Sequence, residues 1–193
     1  TITYAWSTGT EGSTYTVDST DDPDEILTCT ATATDDDGGT DTGTATASVE
    51  NTDPVISSVV VSPASARVGE TLTCTATASD ADGETPSITY AWSDGSTDDR
   101  YTISTTDDPG DTITCTATAT DTDGGTDSAL ESATVLNSAP TVDGVSIDPA
   151  SGKGGDTLTC AATASDPDGG TPTITYTWST GTVGPSHTIA AID

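Results

Sequence analysis

The chain has 193 residues, 32 of them acidic against only three basic ones (Arg67, Arg100 and Lys153), for a formal charge of −29. That charge repels nucleic acid and anionic lipid and disfavours both as partners. Only 31% of the residues are hydrophobic, Phe and Met are absent and no run of 18 apolar residues occurs, which leaves no single large core and no membrane span in this segment.

Thr supplies 45 residues, and its β-branched side chain favours strands. Apolar residues alternate with period two, and no segment carries a helical 3.6-residue rhythm, so the fold class is all-β. The chain opens on TITYAWSTGT, inside a strand pattern, and continues into a second strand at LTCTATATD from Leu27. The linker Asn51-Thr-Asp-Pro54 follows. Val55–Ser62 is predicted as a strand ended by Pro63. Residues 70–79 form another, with Leu72, Cys74, Ala76 and Ala78 on one face and Thr71, Thr73, Thr75 and Thr77 on the other. Residues 87–93 place Ile88, Tyr90 and Trp92 on one side, and residues 100–104 read as a short peripheral strand. Residues 112–120 turn Ile113, Cys115, Ala117 and Ala119 inward, and residues 128–136 close the series. Turn-rich segments at this spacing indicate β-sandwiches.

The order is periodic. Trp6, Trp92 and Trp178 stand 86 residues apart, and so do Cys29 and Cys115, and Cys74 and Cys160. TITYAWSTGT recurs as SITYAWSDGS from Ser87 and as TITYTWSTGT from Thr173. A shared register of this kind identifies a tandem repeat. It divides the chain into the C-terminal half of one repeat (1–50), a whole repeat (51–137) and the first part of a third (138–193). Cys29 and Cys160 then expect partners outside this chain. Either the chain is a window on a longer covalent array, or copies join head to tail with Cys160 bonding the next copy's Cys29. Thr173 onward matches Thr1 onward, so a shared sandwich carries the Trp strand twice, which favours the longer array.

Cys74, Trp92 and Cys115, in that order, resemble the immunoglobulin fold, in which a Trp packs on a disulfide between two sheets. The stretch Asp108-Pro-Gly-Asp-Thr-Ile-Thr-Cys115 looks like the approach to the second cysteine, although Ile113 stands where a corner Tyr is usual. ASDPDGGTPTITYTW from Ala164 is similar to polycystic-kidney-disease-type repeats. NTDPVISSVVVSP with LTCTATASDADG resembles the immunoglobulin-like repeats of large secreted or surface bacterial proteins. The resemblance implies a Cys74–Cys115 disulfide with Trp92 against it, an oxidising compartment and an extracellular, secreted or cell-surface location. It is specific for architecture and weak for function.

The carboxylates cluster in matching loops. Asp35, Asp37 and Asp41 recur as Asp121, Asp123 and Asp127; Asp80, Asp82 and Glu84 recur in part as Asp166 and Asp168. An Asp-x-Asp-Gly run offers carboxylates on alternate residues and a Gly for the turn, as calcium loops do, but it lacks the twelfth-position Glu of an EF-hand. Taken singly, each loop reads equally as a plain turn. In an immunoglobulin sandwich both loop types share one end with the linker, here carrying Asp53. The preceding repeat's opposite end brings Asp21, Asp22, Asp24 and Glu25, so up to four acidic elements are expected to meet, with calcium as the remedy for their repulsion. Solubility and adaptation to high salt explain the total charge without explaining its clustering.

Catalysis is not expected. His187 is the only His, and Tyr101 stands at its phase in the whole repeat. A carboxylate pair for glycoside hydrolysis has no deep-pocket signal beside it. Thr rows suit exposed strands before they suit ice or O-linked sugars, and neither Asn51 nor Asn137 forms a sequon. The expectation is a non-catalytic spacer or fibre segment, partnered by neighbouring repeats or copies of itself. The alternative is an adhesion module binding surface glycan or protein, which divergent aromatic or basic loop tips would mark; the loops here are nearly equivalent.

Overall fold

The computed structural model describes residues 1–191. The alternating pattern gives thirteen strands and no helix among the described residues, and so no helix long and apolar enough to cross a membrane. The first three strands are β1 (Ile2–Trp6), β2 (Ile26–Thr34) and β3 (Thr40–Ser48). The next seven are β4 (Val55–Ser62), β5 (Ser65–Ala66), β6 (Thr71–Ser79), β7 (Ser87–Trp92), β8 (Arg100–Thr102), β9 (Thr112–Thr120) and β10 (Thr126–Val135). The last are β11 (Thr141–Asp148), β12 (Thr157–Ser165) and β13 (Ser186–Thr188).

These strands build four sheets, ordered β1-β2-β3, β4-β6-β8, β5-β10-β9-β7 and β11-β12-β13. β5 runs parallel to β10, while β7 pairs antiparallel with β9. The two middle sheets are an immunoglobulin-like sandwich, and the disulfide Cys74–Cys115, with Cα atoms 6.4 Å apart, ties β6 of one to β9 of the other. The 86-residue period survives as architecture. Sheet β1-β2-β3 repeats the order β7-β9-β10, and β11-β12-β13 repeats β4-β6-β8.

Contacts divide the chain into two compact units. The first is Thr1–Val61, Thr73–Asp99 and Thr114–Ser132; the second is Ser62–Leu72, Arg100–Ile113 and Ala133–Asp193. β4, β6, β9 and β10 run through both. In the first unit Cys74, Cys115, Ala117 and Ala119 are fully buried, and the Thr residues between them face outward. Trp92 lies opposite Cys115 in the β7–β9 register, which puts both side chains on one face. Its indole Nε1 donates to the Asp98 carbonyl at 2.8 Å, so a 3% exposed Trp keeps its polar edge satisfied.

In the second unit the segment around β8 proves to be core and not periphery. Tyr101 is 8% and Ile103 2% exposed, because Tyr101 donates its hydroxyl to Asp107 at 2.8 Å and so buries both ring and carboxylate. β5, two residues long, is too short to show a period and has no signature in the sequence.

Candidate metal centre

Four acidic loops share one local design. The first Asp of each Asp-x-Asp-Gly run turns one oxygen back onto its own loop. Asp80 Oδ1 accepts from Asp82 N at 2.8 Å, and Asp166 Oδ1 from Asp168 N at 2.9 Å. Asp121 Oδ1 accepts from Asp123 N and Gly125 N at 2.9 and 2.7 Å, and Asp35 Oδ1 from Asp37 N and Gly39 N at 3.0 and 2.8 Å. For those oxygens the turn reading is sufficient.

The second oxygens behave differently in the loop pair of the repeat 51–137, which lies within the first unit. Asp80, Glu84 and Asp121 bring carboxylate oxygens within 4.8 Å of one another. Asp80 Oδ2 and Glu84 Oε2 are buried without a hydrogen-bond partner. Leaving buried carboxylate oxygens unpaired is costly, and three such groups repel each other. The linker joins the cluster. Asn51 Nδ2 donates to Asp121 Oδ2 at 3.0 Å, and this hydrogen bond, ahead of the loop's own amides, holds the Asp121 carboxyl below the usual 3.8. A Cβ on Gly125 would collide with Asp121 Oδ2, and it would lie 2.5 Å from Asp53 Oδ1 and 2.8 Å from Asn51 Nδ2. Only Gly leaves room for these oxygens to converge. Asp123 has its pKa raised, first by burial and then by the charges of Glu84 and Asp121. Thr122 Oγ1 donates to Glu84 Oε1 and fixes that side chain over the loop.

The donor set is therefore all oxygen and mostly carboxylate, which fits a hard divalent cation such as calcium. Asp80, Glu84 and Asp121 would hold it, with Asp53 and Asp123 beside them. Other expected ligands are engaged elsewhere. Asp82 Oδ2 accepts from the linker amide Thr52 N at 2.7 Å. Asp127 accepts from Ile56 N and Ser128 N, both at 2.8 Å, and pins the start of β4. Asp41 accepts from Thr42 N at 2.9 Å and is exposed, as are Asp35 and Asp37. In the second unit, Asp168 Oδ2 accepts from Ser138 N at 2.6 Å while its Oδ1 is buried and unpartnered. Gly170 stands at the phase of Glu84, so this loop has Asp166 and Asp168 without the third carboxylate.

The acids at the far end of the first repeat do not all converge as expected. Asp21 is 3% exposed and accepts the Tyr15 hydroxyl at 2.7 Å and Asp18 N at 2.9 Å, so it is consumed internally. It is Ser19 that approaches the acidic loop, its carbonyl 3.0 Å from where a Gly83 Cβ would sit. Thr105 approaches Gly169 in the same way within the second unit. Cys29 and Cys160 are free thiols and half-buried. The His187 ring stacks on Trp178, centroids 5.3 Å apart, as Tyr15 does on Trp6 at 5.5 Å. Asn51 at the site, and the Tyr–Asp pairs away from it, are what sequence reasoning missed. The recurrence of Tyr15 and Tyr101 six residues ahead of Asp21 and Asp107 was the available signal.

No protein-family profile and no curated protein matches the chain. Among solved structures, protocadherin gamma B2 extracellular cadherin domains 3–6 share 15% identity at a TM-score of 0.33, over 88% of this chain and 49% of that one. The protocadherin GammaB4 extracellular domain shares 17% at a TM-score of 0.32, over 99% of this chain and 37% of that one. The chain thus spans half or less of these two chains, and likeness at this level assigns no function.

Proposed function

We propose that the chain is a non-catalytic spacer segment of an extracellular repeat protein, built of 86-residue sandwiches divided at 1–50, 51–137 and 138–193. Each linker is clamped to the next repeat's acidic loop, and calcium completes the clamp where the carboxylates converge. The observation that carries this reading is the recurrence of one linker contact. Thr52 N is held by Asp82, and 86 residues on Ser138 N is held by Asp168. A repeated linker geometry is what an array needs to fix successive domains, and nothing in a single binding surface requires it. The Cys74–Cys115 disulfide supports an oxidising, extracellular location. Calcium is supported by the buried, unpartnered oxygens of Asp80 and Glu84 beside Asp121.

A ligand bound only by the native form raises the melting temperature with its concentration. Calcium titration followed by differential scanning calorimetry and small-angle scattering tests the reading. A rising melting temperature with a narrower distribution of particle dimensions is expected. If calcium and chelator give identical melting and scattering, the acidity serves solubility or salt tolerance and the clamp has no cation.

A further inference from the structure

We infer that Arg67 is the positioning residue of the linker that leaves its repeat, so that one peptide group, Asn137–Ser138, is gripped by a cation of the repeat it leaves and by a carboxylate of the repeat it enters. The inference rests on the reading of the chain as a spacer of linked repeats, and it names what sets the linker's course. Every residue involved lies within the second unit.

The reasoning starts from charge. Basic side chains are scarce in a chain of −29, yet two of the three, Arg67 and Lys153, stand 86 residues apart. They open turns of one design. Arg67 N donates to Glu70 Oε2 at 2.7 Å, and Glu70 N donates to the Arg67 carbonyl at 2.9 Å. Lys153 N donates to Asp156 Oδ2 at 2.8 Å, and Asp156 N donates to the Lys153 carbonyl at 3.0 Å. Gly69 and Gly155 take the positive φ, 88° and 95°, that the third place of such a turn requires. The turn itself needs no cation at its first place, so the recurring charge points to a partner outside the turn.

For Arg67 that partner is the linker. β5 runs parallel to β10, with Ala66 opposite Val135. Leu136 N donates to the Ala66 carbonyl at 2.7 Å, which brings the next residues of the two segments together. Arg67 Nε then donates to the Asn137 carbonyl at 3.2 Å. The two residues of β5 thus deliver Arg67 to the point where β10 becomes linker.

From the other side, Ser138 N donates to Asp168 Oδ2 at 2.6 Å. The Asn137 carbonyl and the Ser138 amide belong to one planar peptide group. Its oxygen meets a guanidinium and its N–H meets a carboxylate, so both bonds are charge-assisted and both follow the peptide's own dipole. Rotating the plane breaks both together. The flanking residues are already restrained: Leu136 is bonded to Ala66, and Pro140 holds Ala139 to extended backbone. The loop carrying Asp168 is braced by Thr105, whose Cβ lies 3.5 Å from where a Gly169 Cβ would sit. The torsions on either side of the 137–138 peptide are what remain to direct the linker, and Arg67 and Asp168 fix them.

The test uses the full chain in chelator, so that it is independent of the cation reading. Arg67→Met keeps the aliphatic stem of this exposed side chain and removes the charge; Arg67→Lys keeps a cation, as Lys153 does. Hydrogen exchange and backbone order parameters are measured by NMR, and particle dimensions by small-angle scattering. In Arg67→Met the Ser138 amide should exchange about tenfold faster, the low end for a hydrogen bond to a charged group. Order parameters at Asn137 and Ser138 should fall from about 0.85 to below about 0.6, and the distribution of dimensions should broaden. Arg67→Lys should match the parent, and exchange at the Thr52 amide and the Cys74–Cys115 disulfide should be unchanged in both variants. An Arg67→Met chain with parental exchange and order at 137–138, or an Arg67→Lys chain as loose as Arg67→Met, overturns the inference. Either result leaves the Asp82 and Asp168 contacts, and with them the spacer reading, in place.

Discussion

Thr52 donates its backbone amide to Asp82 Oδ2 at 2.7 Å, so the linker is fastened to the loop that follows β6 and not merely draped over it. A hydrogen bond to a charged acceptor contributes about 1.5–3 kcal/mol, toward the lower end at an exposed site. Asp82→Ala is expected to cost about 1.5 kcal/mol and to speed hydrogen exchange at the Thr52 amide specifically. Unchanged exchange there would mean that the contact is incidental.

Glu84→Gln separates repulsion from ligation. In chelator the variant should melt at the same temperature as the parent or higher, because one of three converging charges is gone. In calcium it should lose most of the parent's added stability. A calcium response equal to the parent's would remove Glu84 from the donor set.

Acidification acts on the two carboxyls of one loop with opposite signs. Asp121 has a folded pKa below the usual 3.8, set first by Asn51, so its contribution is present above that value and is lost as pH falls through the lower folded one. Asp123 has a folded pKa above 3.8, set first by burial, so its ionised form opposes folding and protonation relieves that opposition. Carboxyl carbon titration by NMR should show Asp123 titrating above Asp121, and Asp123→Asn should raise the melting temperature in chelator. The reverse order of titration would contradict the geometry.

At the alkaline end, Tyr15 has its pKa raised above 10.0, first by its hydrogen bond to the Asp21 carboxylate. Its contribution to stability is therefore complete below pH 10.0 and is lost as pH rises through the folded value. Ultraviolet tyrosinate titration of the folded chain should lose a step lying above pH 10.0 in Tyr15→Phe. A spectrum that loses an ordinary step would assign the shift to another residue.

Removing the Cys74–Cys115 link, which spans 41 residues, should cost about 4 kcal/mol on a loop-entropy basis. The core it ties together is poor in large apolar groups, with Leu72, Ile103 and Val135 among its largest fully buried side chains. Denaturant unfolding of the Cys74→Ala, Cys115→Ala variant measures the loss. A change well under 1 kcal/mol would show that packing, not the cross-link, holds the sheets.

The sequence by itself determined the repeat, the strands and their faces. Period-two alternation in segments such as Thr112–Thr120 dictates which side chains point inward, and an 86-residue register needs no coordinates to read. It also assembled the acidic loops as a class. It could not rank the carboxylates within them, because rank depends on which oxygens are already bonded. Asp82 and Asp127 are held by backbone amides, Asp21 is buried beneath Tyr15, and Asp80 and Glu84 are left with buried oxygens unpaired. Nor could it give Asn51 a role, since that amide meets Asp121 across 70 residues of chain. Local pattern encodes direction; only the folded chain brings distant donors and acceptors together, and that decides which charges remain free to bind.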